Sequence, residues 1–202
     1  IKDKRKYSDT NYPYRNNTKK EAIYHFLRLR NALLRDLSPK SLIGNVTVNY
    51  GTEKLRVKTK YRGRSNLERW KNEKSRKKMI QFAKKLQQYD IDNKKVNPGV
   101  TISLQRAISM QWATINTLRP AAAALMYKKN KATHVLDFTA GWGARMIAAA
   151  ALDIDYTGID ANKNLKPGYD KIIAAIKPYT KSKIKMIYKE AEKVNYAALP
   201  KY

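Results

Sequence analysis

The 202-residue chain has no cysteine, which excludes disulfides and thiolate metal sites. It has only two histidines, His25 and His134, far apart in sequence and in pattern. One falls on a helical face and the other inside a strand, so no metal centre is expected. No apolar run approaches the roughly 18 residues that a membrane span needs, and no basic amphipathic terminus carries bulky apolar anchors. No membrane partner is expected. Nothing resembles a signal peptide, so the expected location is intracellular, in cytoplasm or nucleus. The chain opens at Ile1 rather than methionine, as a processed form or a piece of a longer polypeptide would. Acids are also scarce, at 16 Asp and Glu against 43 Lys and Arg, leaving a net charge of +27.

The charge is unevenly placed. Residues 1–130 hold 31 of the bases and 9 of the acids, against 12 and 7 for residues 131–202. An excess of that size repels itself unless a polyanion offsets it, so nucleic acid is the expected partner, DNA ahead of RNA. The boundary is expected near residue 97: a basic helical and hairpin region over 1–97, then a cofactor-binding domain over 98–202.

Residues 1–18 read as an extended polar arm. Lys19 to Leu37 reads as a helix with an apolar stripe through Ala22, Ile23, Phe26, Leu27, Leu29, Ala32, Leu33 and Leu34, ended by Ser38-Pro39. Val46–Val48 and Leu55–Tyr61 alternate at period two around Asn49-Tyr50-Gly51-Thr52, which predicts a β-hairpin. Its outer face would carry Arg56, Lys58 and Lys60, with Arg62 and Arg64 just beyond. A phosphate-binding face and a lysine-guarded edge strand read alike there.

Ser65, with Glu68 three residues on, opens a long helix through Gln88 by a capping box. Lys71, Lys74, Arg76, Lys77, Lys78, Lys84 and Lys85 crowd its surface against the single acid Glu73, and this helix is the leading nucleic-acid surface. Asp90 to Pro98 reads as a polar connector. Helix resumes over Thr101–Met110 and Gln111–Leu118, and Pro120 marks a new start.

The densest signal lies further on. Val135-Leu136-Asp137-Phe138-Thr139-Ala140-Gly141-Trp142-Gly143 is an apolar strand running into a glycine turn, and Ala144 to Leu152 follows as helix. Two glycines let backbone N–H groups approach a ligand, and the helix points its positive end at the same spot. A second strand, Tyr156-Thr157-Gly158-Ile159, ends in Asp160, 23 residues after Asp137, where a carboxylate would meet a ribose diol. The pair points to an adenosine-containing ligand. A dinucleotide site wants a third glycine where Met146 stands, and a phosphate-gripping P-loop wants lysine and serine or threonine where Ala144-Arg145 stands. Either feature alone is an ordinary turn or helix cap; the combination of order and spacing carries the reading. Trp142 either walls the ligand or packs under the turn, and packing is favoured.

With those residues in view, Asp137 to Gly143 resembles the cofactor loop of S-adenosylmethionine-dependent methyltransferases, particularly the nucleic-acid amino-methyltransferases. Asn116 to Tyr127, including Arg119 and Pro120, is similar to the helix that in many of them precedes the first strand and closes over the methionine end. Gly158-Ile159-Asp160-Ala161-Asn162 is similar to the second motif, and Glu190-Ala191-Glu192 stands where the acidic third one falls, after the apolar run Ile184 to Tyr188. The resemblance covers about residues 105–202. Phe138-Thr139 departs from the commoner Asp-Pro-Phe form.

The resemblance implies an α/β, Rossmann-like methyltransferase sheet, incomplete in this chain and preceded by the basic, mainly helical region with its hairpin. It implies that Asp137, Phe138, Thr139, Ala140, Gly141, Trp142 and Gly143 hold the methionine moiety and the cofactor's amino group. It places Asp160 on the ribose, Ala161 and Asn162 beside the adenine, and Glu190 or Glu192 near its exocyclic amine. The implied reaction is methyl transfer to a base amine, adenine N6 in DNA ahead of others, with S-adenosyl-L-methionine as cofactor. The family's polar-Pro-Pro-aromatic motif would follow a fourth strand that does not precede Tyr202, so the catalytic residues are unassigned. A continuation or a partner subunit is expected to complete the sheet. The alternative is a noncatalytic nucleic-acid-binding protein on the same scaffold.

Overall fold

The computed structural model describes residues 11–33, 37–93 and 99–199. Eleven elements follow in order: α1 (Lys19–Ala32), α2 (Asn45–Lys58), α3 (Asn66–Lys71), α4 (Glu73–Asp92), α5 (Gly99–Gln111), α6 (Pro120–Lys129), β1 (His134–Asp137), α7 (Ala144–Ala151), β2 (Asp155–Ile159), α8 (Lys166–Ile176) and β3 (Ile184–Ile187). Short 3-10 turns stand at Lys163–Leu165, Lys177–Tyr179, Ala191–Lys193 and Tyr196–Ala198. No helix among the described residues is long and apolar enough to cross a membrane.

The chain forms two compact units, residues 16–53 with 117–202 and residues 1–15 with 54–116. This differs from a break at 97/98. Helix α1 packs on α7 and α8 and so belongs with the sheet, whereas α5 packs on α4. An apolar helix joins whichever surface buries its stripe, and sequence order does not decide which.

In the sheet unit, β1, β2 and β3 are parallel in the order β1-β2-β3, with Leu136 opposite Thr157 and Gly158 opposite Met186. The fold is therefore α/β, with helices connecting parallel strands. Helix α7 is almost entirely buried, Met146 to Ala150 being at 0% exposure. Alanine suits this position because it has the best helix propensity and no bulk to keep neighbours away. Helix α1 begins at a capping box in which the Thr18 hydroxyl accepts from Glu21 N–H and the Glu21 carboxylate accepts from Thr18 N–H. It buries Ala22, Phe26 and Leu29. At its last turn Arg30 binds Asp153 through two bonds of 2.8 Å, and Asp153 also accepts from Lys181 N–H (2.8 Å) and the Thr180 hydroxyl (3.1 Å). This pair ties the helix to the turns before β2 and β3.

The β-hairpin expected over 46–61 is instead helix α2. Its buried residues Thr47, Val48, Asn49 and Thr52 recur at spacings of three and four, and the Thr52 hydroxyl donates to the Val48 carbonyl. Gly51 is not a turn residue. A Cβ there would lie 2.4 Å from the Gly168 carbonyl oxygen, so the two glycines let α2 and α8 touch backbone to backbone. Arg56 and Lys58 consequently sit on a helix, not on a strand face with Lys60.

In the other unit, Tyr12, Trp70, Met79, Ala83, Leu104, Ala107 and Ile108 make the core. Ser65 and Glu68 form the expected capping box. The single long helix does not form: it breaks at Asn72, an extended residue (φ −69°, ψ 115°) whose side chain accepts from Ser75 N–H at 2.9 Å and starts α4 anew. Helix α4 then runs on to Asp92, into the expected connector, with Asn93 as its C-cap; residues 94–98 lie outside the described residues. Asp90, buried, is bound by Arg106 at 2.7 Å. Helix α5 stops at Gln111; residues 113–119 have no regular structure, and Ala113 at φ 60° ends the helical path. In the sheet unit, the expected end of α1 at Leu37 is replaced by Leu33 as the cap, with 34–36 outside the described residues. The arm's residues 1–10 also lie outside them, and 11–18 have no regular structure.

Candidate functional site

Three parallel strands end on one edge, and each delivers a polar group there. Asp137 closes β1, Asp160 follows β2 and Tyr188 follows β3. In open α/β sheets ligands bind outside this carboxyl edge. The backbone bonds Ala140 N–H to Ile159 O (2.9 Å) and Asp160 N–H to Ile187 O (3.0 Å) carry the pairing up to the edge.

The loop between β1 and α7 turns through two left-handed residues, Gly141 (φ 62°) and Gly143 (φ 87°), conformations that side chains rarely adopt. Gly143 is the N-cap of α7. The Gly141 N–H donates to Asp160 Oδ2 at 2.7 Å, and Asp160 Oδ1 accepts from Asn162 N–H at 2.9 Å. One carboxylate thus joins the glycine loop to the turn after β2. The Gly141 carbonyl accepts from the Tyr169 hydroxyl at 3.1 Å.

Asp137 is 7% exposed. Its Oδ2 accepts from Arg145 Nε and from the Tyr156 hydroxyl, both at 2.6 Å, and its Oδ1 accepts from Thr139 N–H at 3.2 Å. Arg145 Nη2 also donates to the Thr139 carbonyl and, at 3.3 Å, to its hydroxyl. Burial opposes the Arg145 charge most strongly, but the bond to Asp137 and the electrostatic influence of Asp137, Tyr156 and Tyr127 together offset it and hold the guanidinium protonated. Burial pushes the Tyr156 and Tyr169 hydroxyls above their ordinary range, aided by nearby carboxylates, so both act as donors. Tyr127 and Tyr188 are each pushed up to about 12, first by burial, then by Asp137 for Tyr127 and by Asp170 and Asp160 for Tyr188. Both hydroxyls are buried and without a hydrogen-bond partner among the described residues.

The sequence-predicted loop residues therefore come together with Asp160. Phe138 is 61% exposed beside them, Ala140 is buried, and Trp142 is half-buried. Ala161 and Asn162 are exposed, and the Asn162 side chain caps the following 3-10 turn. Glu190 pairs with Lys193, and Glu192 is exposed. Arg119 turns its guanidinium to the Lys40 carbonyl at 2.9 Å, while Pro120 is buried at the first turn of α6. Arg145, Tyr156, Tyr127, Tyr169 and Tyr188 were not foreseen. One signal for Tyr156 was Gly158 two residues on: a Cβ there would lie 2.7 Å from the Tyr156 ring, so the glycine makes room for the ring to lean toward Asp137.

The predicted nucleic-acid residues all fall in the other unit. Its sequence, residues 1–15 and 54–116, holds 22 Lys and Arg against 6 Asp and Glu, a net +16. On α4 the residues Lys74, Lys77, Lys78, Lys84 and Lys85 are exposed, at helical spacings that place them with Gln81 and Gln88 on one face, opposite Met79 and Ala83. Eleven helical rises from Lys74 to Lys85 make this stripe roughly 16 Å long. Lys77 is partly answered by Glu73 at 2.6 Å. Arg76 lies outside the stripe: its guanidinium donates to the Trp70 (2.9 Å) and Lys71 (3.2 Å) carbonyls and finishes α3. Arg56 is half-buried, whereas Lys58, Arg64 and Lys71 are exposed. Arg62 lies 5.4 Å over the Tyr61 ring in a tight reversal closed by Tyr61 N–H to Arg64 O, and Lys60 stands 3.9 Å from Glu68.

No cluster of His, Asp and Glu suited to a metal occurs among the described residues. Comparison with protein-family models, with curated proteins and with solved structures finds no match.

Proposed function

We propose that the chain is the cofactor- and nucleic-acid-binding portion of an S-adenosylmethionine-dependent methyltransferase with a Rossmann-like sheet, acting on an exocyclic base amine, adenine N6 in DNA ahead of others. The observation that carries this reading is the Gly141 to Asp160 bond, which sets a ribose-type carboxylate beside a left-handed glycine loop on adjacent strand ends. Two features favour an adenosine without a phosphate chain. Met146 is fully buried where a dinucleotide loop needs bare backbone, and Arg145 is held by a carboxylate. When bound, the cofactor would supply a methyl group on a sulfonium. The Asp137–Gly143 loop and Asp160 would hold it as that methyl passes to the amine nitrogen, the carbon–sulfur bond breaking as the carbon–nitrogen bond forms and the amine's proton going to solvent. Positioning supplies most of the acceleration in such an in-line step. The lysine stripe of α4 would hold the phosphate backbone, with RNA as the rival polymer.

Calorimetry with S-adenosylmethionine is expected to give saturable heat with the wild type, and Asp160→Ala is expected to weaken it at least tenfold. Absence of heat, or an unaffected Asp160→Ala, would remove the proposal. The +16 charge of the second unit favours one other reading, a noncatalytic nucleic-acid-binding protein on this scaffold. Transfer of labelled methyl from cofactor to DNA separates the two.

A further inference from the structure

Between α2 and α3 the chain reverses over Lys60-Tyr61-Arg62-Gly63-Arg64, and all five residues are exposed. The reversal has a defined geometry: Tyr61 and Arg64 form an antiparallel bridge in which the Tyr61 N–H donates to the Arg64 carbonyl at 3.1 Å. Its two central residues, Arg62 (φ 52°) and Gly63 (φ 83°), both sit at positive φ. That is the pattern of a tight hairpin turn whose first central position ordinarily holds asparagine, aspartate or glycine. Arginine there adopts a left-handed backbone that side chains disfavour, and no burial of its own offsets the strain. Its guanidinium meets no carboxylate among the described residues and rests 5.4 Å from the centre of the Tyr61 ring. Glu68, which feels Lys60 and Arg64, is already held by the Ser65 N–H at 2.6 Å in the α3 capping box. A Cβ on Gly63 would meet nothing within 4 Å, so the apex stands in open space.

Backbone strain at an exposed cation that stabilises nothing around it points to a residue kept for what it touches. The shape of the turn narrows the class. A two-residue apex with one long cation beside a bare glycine is too slender for the major groove of duplex DNA, which is about 12 Å wide and takes a helix, but it fits the minor groove, about 6 Å wide. There a guanidinium meets only acceptors at A·T pairs, adenine N3 and thymine O2, whereas guanine adds an N2 amine that competes as a donor. A·T tracts also narrow that groove and deepen its negative potential, which draws arginine in. Lys60 and Arg64, one on either side of the apex, bring charge for the phosphates along the groove walls. The geometry points to the Tyr61–Arg64 turn as a minor-groove hook whose Arg62 enters A·T-rich duplex DNA. The hook rests on the nucleic-acid part of the reading above, is independent of the cofactor part, and adds the groove and the base composition that the protein would read.

Fluorescence anisotropy on the full chain compares three duplexes of about 20 base pairs whose centres are A·T, G·C or inosine·C pairs. Inosine lacks the N2 amine, so the third duplex keeps the major groove of G·C while presenting the minor-groove pattern of A·T. The wild type is expected to bind the A·T and inosine·C duplexes about 5- to 10-fold more tightly than the G·C duplex. Arg62→Ala is expected to erase that preference and to lower the dependence on log salt by about one. Arg62→Asn is expected to do the same while melting no earlier than wild type, because asparagine accepts the left-handed backbone more readily. Binding lost without stability lost separates a contact with DNA from a role in the fold. If Arg62→Ala melts early, Arg62→Asn carries the comparison. Equal binding of the three duplexes by wild type, or a preference that survives in Arg62→Asn, would overturn the hook while leaving the nucleic-acid reading intact. A wild type that binds none of the duplexes would instead overturn the nucleic-acid reading and the hook with it.

Discussion

Replacing Arg30 by Met keeps the side-chain stem and removes the charge that faces Asp153. The Arg30 guanidinium, with the Lys181 N–H and the Thr180 hydroxyl, holds the Asp153 carboxyl at about 2 instead of the usual 3.8. At roughly 1.4 kcal/mol for each tenfold change in proton affinity, a depression of that size could contribute at most roughly 2–3 kcal/mol at neutral pH. Nearly a third of each side chain is open to water (28% and 30%), and screening reduces the pair's worth to about 1–2 kcal/mol. A depressed carboxyl stabilises the fold fully above its unfolded pKa, and that stability is lost as pH falls through the folded value. The cost of Arg30→Met is therefore expected to be largest at pH 7, about half as large at pH 3 and about a sixth at pH 2. Urea unfolding of wild type and variant at these pH values, in salt that screens the self-repulsion of so basic a chain, reads the gap directly. Other carboxyls titrate alike in both proteins and cancel. A gap that stays constant from pH 7 to pH 2 would refute the electrostatic account and leave only lost packing.

Gly51→Ala would place a methyl 2.4 Å from the Gly168 carbonyl, and it is expected to cost about 1–3 kcal/mol in thermal or urea unfolding as α2 is pushed off α8. An unchanged midpoint would mean that the two helices do not meet there. Tyr156→Phe leaves the buried Asp137 carboxylate short of one donor, a loss of about 1–3 kcal/mol visible in the same assay. A variant as stable as wild type would show that the hydroxyl adds nothing. Changing Lys74, Lys78, Lys84 and Lys85 together to Gln is expected to weaken DNA binding and to flatten its dependence on log salt by about three to four. An unchanged slope would move the nucleic-acid surface elsewhere.

The residues from 134 to 188 announced their structure because local and global preferences agree there. Apolar strands of four or five residues, a pair of glycines that must sit at positive φ and an alanine helix leave few alternatives, and Asp137 and Asp160 fall at strand ends for that reason. The capping box at Ser65 and Glu68 was equally plain, since its bonds span three residues. Residues 46–61 misled because β-branched residues at alternate positions fit a strand as well as a helix face. The contact that makes α2 a helix packed on α8 lies at Gly168, more than a hundred residues away. Asn72 misled in the other direction, being compatible with helix until its side chain caps the next one.

What the sequence determined by itself was the strand-loop-helix-strand order, the two carboxylates at strand ends and the excess of positive charge, all of which depend on neighbours in the chain. Only the tertiary structure decided that α1 joins the sheet, that Gly51 is a point of helix contact, and that Arg145, Tyr156 and Tyr127 gather around Asp137. Those arrangements come from burial and charge pairing between distant segments, and no periodicity within either segment encodes its partner.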